Sequence, residues 1–229
     1  MTAMIAWSSG KDCALALHRA RHISGLTVST ALTTLTEPFG RVSMHGVRRA
    51  LLDAQLEAAG LAPLIVPIPY PCSNELYEER MRDALDTARR AGITQIIFGD
   101  LFLEEIRAYR EQKLAGTGIA PLFPLWGVPT SRLAREIIAS GIEAYIVCID
   151  RAKLPDEFCG RRYDAALLDA LPGDVDPCGE NGEFHTCVVG GPILSRRIPV
   201  VVGECVVRDG FTFCDLVSAD HGDTVASRA

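Results

Sequence analysis

Eight cysteines occur in this chain, and no two of them form a Cys-x-x-Cys pair. A zinc ribbon or a thioredoxin-like motif needs that spacing, so both are excluded. Many of the thiols read instead as small buried hydrophobes of a reduced protein. A surplus of basic charge is also missing: 29 acidic residues stand against 23 basic ones, for a net charge of −6. That balance disfavours a nucleic-acid partner. No apolar run is long enough to span a bilayer. The N-terminus lacks the basic region, long apolar stretch and cleavage site of a secretory signal. The expectation is a soluble, cytoplasmic protein with neither a membrane nor a nucleic-acid partner. Repeats and low-complexity stretches are absent. What remains is ordinary globular material: 229 residues, 48% apolar and 23% charged, enough for one large domain or two small ones with a real core.

Short apolar runs alternate with helical patterns over the first two thirds. Strands are expected at residues 3–7, 27–35, 64–68 and 95–98. Helices are expected at 12–21, 47–59 and 75–91, the last two stopped by Gly60 and Gly92. The longest helix buries Tyr77, Met81, Ala84, Leu85 and Ala88 on one side. Such alternation implies an α/β fold, a doubly wound parallel sheet with helices on both faces. After Trp126 the character changes. A helix at 131–139 and a strand at 144–149 lead into a loop-rich, then strand-rich part. There Asp209-Gly210 marks a hairpin between residues 200–208 and 211–217. A smaller C-terminal α+β part is expected, with residues 1–125 and 126–229 as the two domains. Residues 219–229 read as a frayed end.

The first strand runs into Ser8-Ser9-Gly10-Lys11-Asp12-Cys13 and then directly into a helix. A small-residue loop at a helix N-terminus suits a phosphate, through backbone N–H groups and the helix dipole. Ser8 and Ser9 add hydroxyls, Lys11 adds charge, and Asp12 is able to hold Mg²⁺ or cap the helix. The loop is not a Walker loop, since Ile5 stands where its first glycine belongs. A plain helix cap would show the same six residues.

Ser8 to Cys13 is similar to the pyrophosphate loop of the N-type ATP pyrophosphatases. Two positions depart from it. Ser9 stands at a glycine position, acceptable if its φ stays negative, and Cys13 stands at a serine position, at a cost of about 1 kcal/mol in one hydrogen bond. Ser43-Met44-His45-Gly46, Gly99-Asp100, Arg107-Ala108-Tyr109-Arg110-Glu111, Phe123-Pro124-Leu125-Trp126 and residues 178–186 follow in order. Together, across residues 3–195, they resemble the diphthine–ammonia ligase family.

The resemblance implies an adenine nucleotide alpha hydrolase-like sheet of the HUP type. It also implies an ATP-dependent ligase: a carboxylate attacks the α-phosphate, pyrophosphate leaves, and ammonia displaces AMP to form an amide. ATP and Mg²⁺ are then the expected cofactors. Ser8, Ser9, Gly10, Lys11, Asp12, Cys13, Met44, His45 and Gly99 would contact the nucleotide, with Asp12 and Asp100 on the metal. Lys11, Asp12 and Asp100 would serve the adenylating step, with Arg107 clamping its transition state. Glu180, Glu183 and His185 would serve substrate or ammonia. A quaternary ammonium group, as on diphthine, would suit Trp126, Tyr109 or Phe184.

The implied acceptor is diphthine on elongation factor 2, with free ammonium as nitrogen source. The 20 arginines against 3 lysines hint at a GC-rich, often bacterial, genome, where diphthamide is not expected. An unknown metabolite carboxylate therefore stays open as the substrate. So does a non-enzymatic ATP sensor, against which the second acidic block argues. A sulfur-transfer enzyme acting on tRNA would want a reactive cysteine pair and a basic surface.

Overall fold

A computed structural model describes residues 1–219. The expected frayed segment lies, past Ala219, outside the described residues. The elements are β1 (Thr2–Ala6), α1 (Lys11–Ala20), β2 (Thr27–Thr36), β3 (Arg41–Val42), α2 (Arg49–Ala59), β4 (Ala62–Ile68), α3 (Asn74–Arg90), β5 (Gln95–Ile97), α4 (Glu104–Leu114), β6 (Ala120–Leu122), α5 (Thr130–Ala139), β7 (Glu143–Asp150), α6 (Ala165–Ala170), β8 (Phe184–Gly190), β9 (Val200–Arg208) and β10 (Phe211–Ser218).

The first sheet is parallel in the order β4-β2-β1-β5-β6. The short β3 adds antiparallel to the end of β2. The alternation of β1 explains its central place. Ala3 and Ile5 face the core beneath α1 and α2, with Leu51, Leu52 and Leu56. Met4 faces the opposite core, with Ala84 and Ala88 of α3. Helices therefore cover both faces, as a doubly wound sheet requires.

Both edge strands carry proline, Pro63 and Pro67 in β4 and Pro121 in β6. Proline has no ladder N–H to offer, and an edge is where its absence is tolerated. Proline and brevity together hid β6 from sequence reading. The short β3 and α6 were equally invisible. The charged stretch after Leu101 forms α4, whose only buried residue is Leu114.

The second sheet is antiparallel, β8-β7-β10-β9. Asp209 and Gly210 both take positive φ, +51° and +85°, as the expected tight hairpin demands. The two sheets share one core. Val188 and Val189 of β8 belong to the same cluster as Ala3, Ile5 and Leu17.

A buried amide stitches the sheets together. Gln55 of α2 is fully buried. Its Oε1 accepts from the Trp7 indole at 3.1 Å, and its Nε2 donates to the Val188 carbonyl at 2.6 Å and the Ser9 carbonyl at 3.3 Å. Truncation would leave the Trp7 N–H unpaired in the core and take a donor from the Val188 carbonyl. Gln55→Ala should lower stability by about 3 kcal/mol, seen in urea unfolding as a lower midpoint at unchanged slope. Asp53→Ala, on the exposed side of α2, should stay within about 0.5 kcal/mol.

Candidate active site

In a sheet of this kind the order of strands reverses beside β1: β2 lies on one side and β5 on the other. Ligands bind outside the carboxyl ends of the strands at such a switch point. A cavity of about 790 Å³ opens there. The ends of β1 and β5, the turn after β3, one face of α3, α4 and the segment 178–186 enclose it.

The loop of residues 8–13 forms the cavity floor. Gly10 is the N-cap of α1 and, as glycine, brings no capping side chain of its own. The Lys11 N–H donates to the Thr186 hydroxyl at 3.0 Å, and the Val188 N–H donates to the Ser9 carbonyl at 2.9 Å. The second sheet thus holds the loop from behind. Two glycines permit the approach of its neighbours. A Cβ on Gly99 would sit 2.8 Å from the Cys13 nitrogen, and one on Gly10 would sit 2.9 Å from the His45 ring.

Ser9 departs from expectation. Its φ is +71°, in the region glycine favours, rather than negative. Its side chain is buried and its hydroxyl has no partner. Cys13 packs inward, its thiol donating to the Gly10 carbonyl at 3.0 Å, and burial pushes it up to about 11.

Lys11 is 1% exposed. Its ammonium donates to Asp12 Oδ2 at 2.9 Å and to the Cys178 carbonyl. The rings of Phe184 and Tyr163 flank it, with centroids 5.2 and 5.3 Å away. Burial alone would drive such an amine neutral. The charges of Asp12, Cys178 and Asp176 outweigh it and raise its pKa. Lys11 therefore keeps its charge but has two donors already committed, which differs from the free phosphate ligand expected.

Asp12 has its other oxygen, Oδ1, buried without a partner. Asp100 is gripped by Arg110 through both oxygens. No group of three His, Cys, Asp or Glu side chains able to hold a metal ion occurs among the described residues. Asp12 is thus the carboxylate with an oxygen to offer, and a cation there would need further oxygens from a ligand or water.

The rings of His45 and His185 lie 4.5 Å apart, tilted by 32°. His45 Nδ1 lies 3.0 Å from the Thr186 carbonyl, so Nδ1 carries the proton and Nε2 is left as an acceptor. Burial pushes His45 down to about 3, helped by His185, and His185 down to about 4, helped by Lys11. Both rings are neutral at pH 7. Glu180 accepts from the Leu101 N–H at 2.8 Å. Burial, with Asp12 and Asp100 nearby, pushes it up to about 7.

Ser8, Lys11, Asp12, Cys13, His45, Gly99, Asp100, Glu180 and His185 therefore meet around one cavity. Other expected residues lie elsewhere. Ser9 and Gly10 shape the loop behind the cavity wall. Met44 takes a φ of +64° in its turn, which leaves it 65% exposed and outside the cavity. Arg107 pairs with Glu111 and lies 4.8 Å over both Phe123 and Trp126. Arg110, one turn along α4, faces the cavity instead. Glu183 is buried inside the 176–183 loop, where it accepts from the Asp176 N–H and the Asn181 amide. Of the three candidate aromatics, Tyr109 and Phe184 line the cavity and Trp126 does not.

Tyr77, Met81 and Leu85 were expected as core and form cavity wall. An apolar stripe on a helix reads the same in either role. Thr186 stood inside the quoted motif with no role attached to it. Gln55 left one signal, a polar residue at core spacing four places from Leu51.

The sheet order and the site at its switch point are consistent with the HUP-type α/β class. Residues 129–219 match the family model described as the diphthamide synthase C-terminal domain. The chain is 33% identical over 100 residues to the diphthine–ammonia ligase of Rattus norvegicus and 31% identical over 100 residues to that of Homo sapiens. Each alignment covers 42% of this chain and 38% of the relative. The Bos taurus protein of the same name is 25% identical over 152 residues, covering 64% of this chain and 57% of its own length. These matches support the diphthine–ammonia ligase family for this chain, which aligns with less than two thirds of those relatives' length. No helix among the described residues is long and apolar enough to cross a membrane.

Two measurements check the geometry. Ser9→Gly relieves a left-handed backbone and removes an unpaired hydroxyl, and it should stabilise the fold by about 1 kcal/mol in urea unfolding. Glu180 has a folded-state pKa above the usual 4.5. Its proton stabilises the fold fully below the unfolded value, and that stabilisation is lost as pH rises through about 7. Glu180→Gln keeps an acceptor for Leu101 and should gain stability over the native chain progressively between pH 4.5 and 7.

Proposed function

We propose that this chain is an ATP-dependent ligase that adenylates a carboxylate and amidates it with ammonia. The cavity carries the reading, because its two ends differ in kind. Leu32, Met81, Leu85, Ile96 and Phe98 make an apolar end suited to a purine. The start of α1, whose N-cap Gly10 brings no side chain, makes with Ser8 a polar end suited to phosphate. Residues 1–125 would hold ATP and 126–229 the substrate. The relatives' names give diphthine and ammonia as those proteins' substrates; for this chain we take the carboxylate to be that of diphthine, on elongation factor 2, and the nitrogen source to be free ammonium. We place this reaction in the cytoplasm, with neither membrane nor nucleic acid involved.

Four basic and five acidic side chains line the cavity. A triphosphate brings more negative charge than that set can balance, so a divalent cation would accompany it. Asp12 Oδ1 fits that role as an unpartnered buried carboxylate oxygen, with phosphate oxygens and water completing a hard, oxygen-rich shell. Bound Mg²⁺ would neutralise charge developing on the departing pyrophosphate.

The chain's own residues do the rest. Lys11 holds Asp12 in place. His45 offers Nε2 to a ribose hydroxyl. Arg110 holds Asp100 at the end of β5, with its own charge turned to the cavity. Glu180, poised near neutrality, accepts the proton that ammonium must lose before it can attack. His185, kept neutral, adds no positive charge to repel that ammonium.

The test uses ATP labelled in its α-phosphate, with Mg²⁺, ammonium and host lysate split into protein and small-molecule fractions. AMP and pyrophosphate should appear, stimulated by the protein fraction. ADP, or no cleavage with either fraction, would overturn the proposal. Asp12→Asn keeps an acceptor for Lys11 while removing the charge. It should cut AMP formation by about 100-fold with an unchanged circular dichroism spectrum.

A further inference from the structure

Away from the cavity, three of the eight thiols gather beside the outer hairpin of the second sheet: Cys205 and Cys214 on its strands and Cys159 in the loop between β7 and α6. Cys205 of β9 and Cys214 of β10 are direct partners in the antiparallel ladder. Arg208 and Phe211 flank the two-residue turn as the first, hydrogen-bonded pair, and the pair types alternate outward from it. Cys205 and Cys214, three steps further out, therefore form a non-hydrogen-bonded pair. At such a pair the Cα atoms face each other at about 4.5 Å, and the side chains share one face. That separation falls within the span of roughly 4.4–6.8 Å that a disulfide bridges.

Access is unequal. Cys205 is exposed, and Cys214 is buried. The thiols of Cys159 and Cys205 also act on Cys214. Its pKa is lowered to about 7, by Cys159 first, against the opposing effect of burial. Gly160 gives room for this packing, since a Cβ there would lie 3.1 Å from the Cys214 sulfur.

We propose that Cys205 and Cys214 form a reversible cross-strand disulfide by exchange with a low-molecular-weight disulfide. The Cys205 thiolate attacks one sulfur of the reagent, breaks its S–S bond and expels one half as a thiolate. The Cys214 thiolate then attacks the sulfur of Cys205, breaks the mixed disulfide and expels the second half. Two protein thiols are oxidised and one reagent disulfide is reduced. The two protons given up by the cysteines end on the released thiols. Exposed Cys205 receives the reagent, and Cys214, too buried to meet it, resolves the adduct.

The probe is oxidised glutathione in excess, followed by tryptic digestion without reductant and mass spectrometry. Cleavage after Arg208 separates the two cysteines, so the bond appears as peptide 198–208 linked to peptide 209–228. Dithiothreitol should release both. C159S should still form the bond, C205S should form none, and C214S should retain a glutathione adduct on Cys205. Circular dichroism confirms the fold of each variant. A lasting glutathione adduct on Cys205 of the native chain, no reaction at either residue, or a Cys159–Cys214 link in place of the cross-strand one would each overturn the proposal.

Discussion

A lysine ammonium almost fully withdrawn from water sits at the centre of this molecule. Unpaired, such a charge would cost several kcal/mol and would shed its proton. Lys11 avoids that by drawing on separate stretches of chain: the next residue, Asp12; the carbonyl of Cys178; and the ring faces of Phe184 and Tyr163. Those partners cannot be moved apart without stranding the charge. The distance between the carboxyl end of β1 and the start of β8 is fixed accordingly. The close approach at Gly99, the Thr186 hydroxyl on the Lys11 amide and the adjoining His45–His185 pair all occupy the gap that this one ammonium sets.

The same withdrawal from water decides the charge state of the cavity. Low polarity disfavours every ionised form, so two histidines are held neutral and one glutamate is held near its midpoint at neutral pH. Asp100 is instead paired with Arg110. The result is a pocket with a few deliberate charges and several suppressed ones, an arrangement suited to moving a proton near pH 7.

Most of the fold was legible in the sequence, because the long elements carry strong periods. The strands and helices of the first sheet appear within a residue or two of expectation, and Asp209-Gly210 forms its hairpin. Strands of two or three residues, such as β3 and β6, leave no period to read. The site was legible as a set of motifs and less so as side-chain directions. Within Arg107 to Glu111 the sequence has no means of telling which arginine faces inward, since one helical turn separates Arg107 on its aromatic pair from Arg110 in the cavity. Met44 and His45 are adjacent, yet the left-handed turn at Met44 sends one outward and leaves the other in the wall. Lys11 reads as a phosphate ligand in any strand–loop–helix motif. Its burial under Phe184 depends on residues more than 160 positions away.

The shared core also bears on how such a chain tolerates change over generations. A recombination point placed between the two sheets would separate Lys11 from the Cys178 carbonyl, Gln55 from that of Val188, and the Lys11 amide from Thr186 in one event. Three buried polar groups would then need new partners simultaneously. The halves are therefore not interchangeable parts, however distinct they look as sheets. Beyond Val200 the outermost strand, β9, is in contact with water along its whole length. Composition there can drift one residue at a time with little effect on the cavity end of the molecule, so novelty in this scaffold enters from its rim.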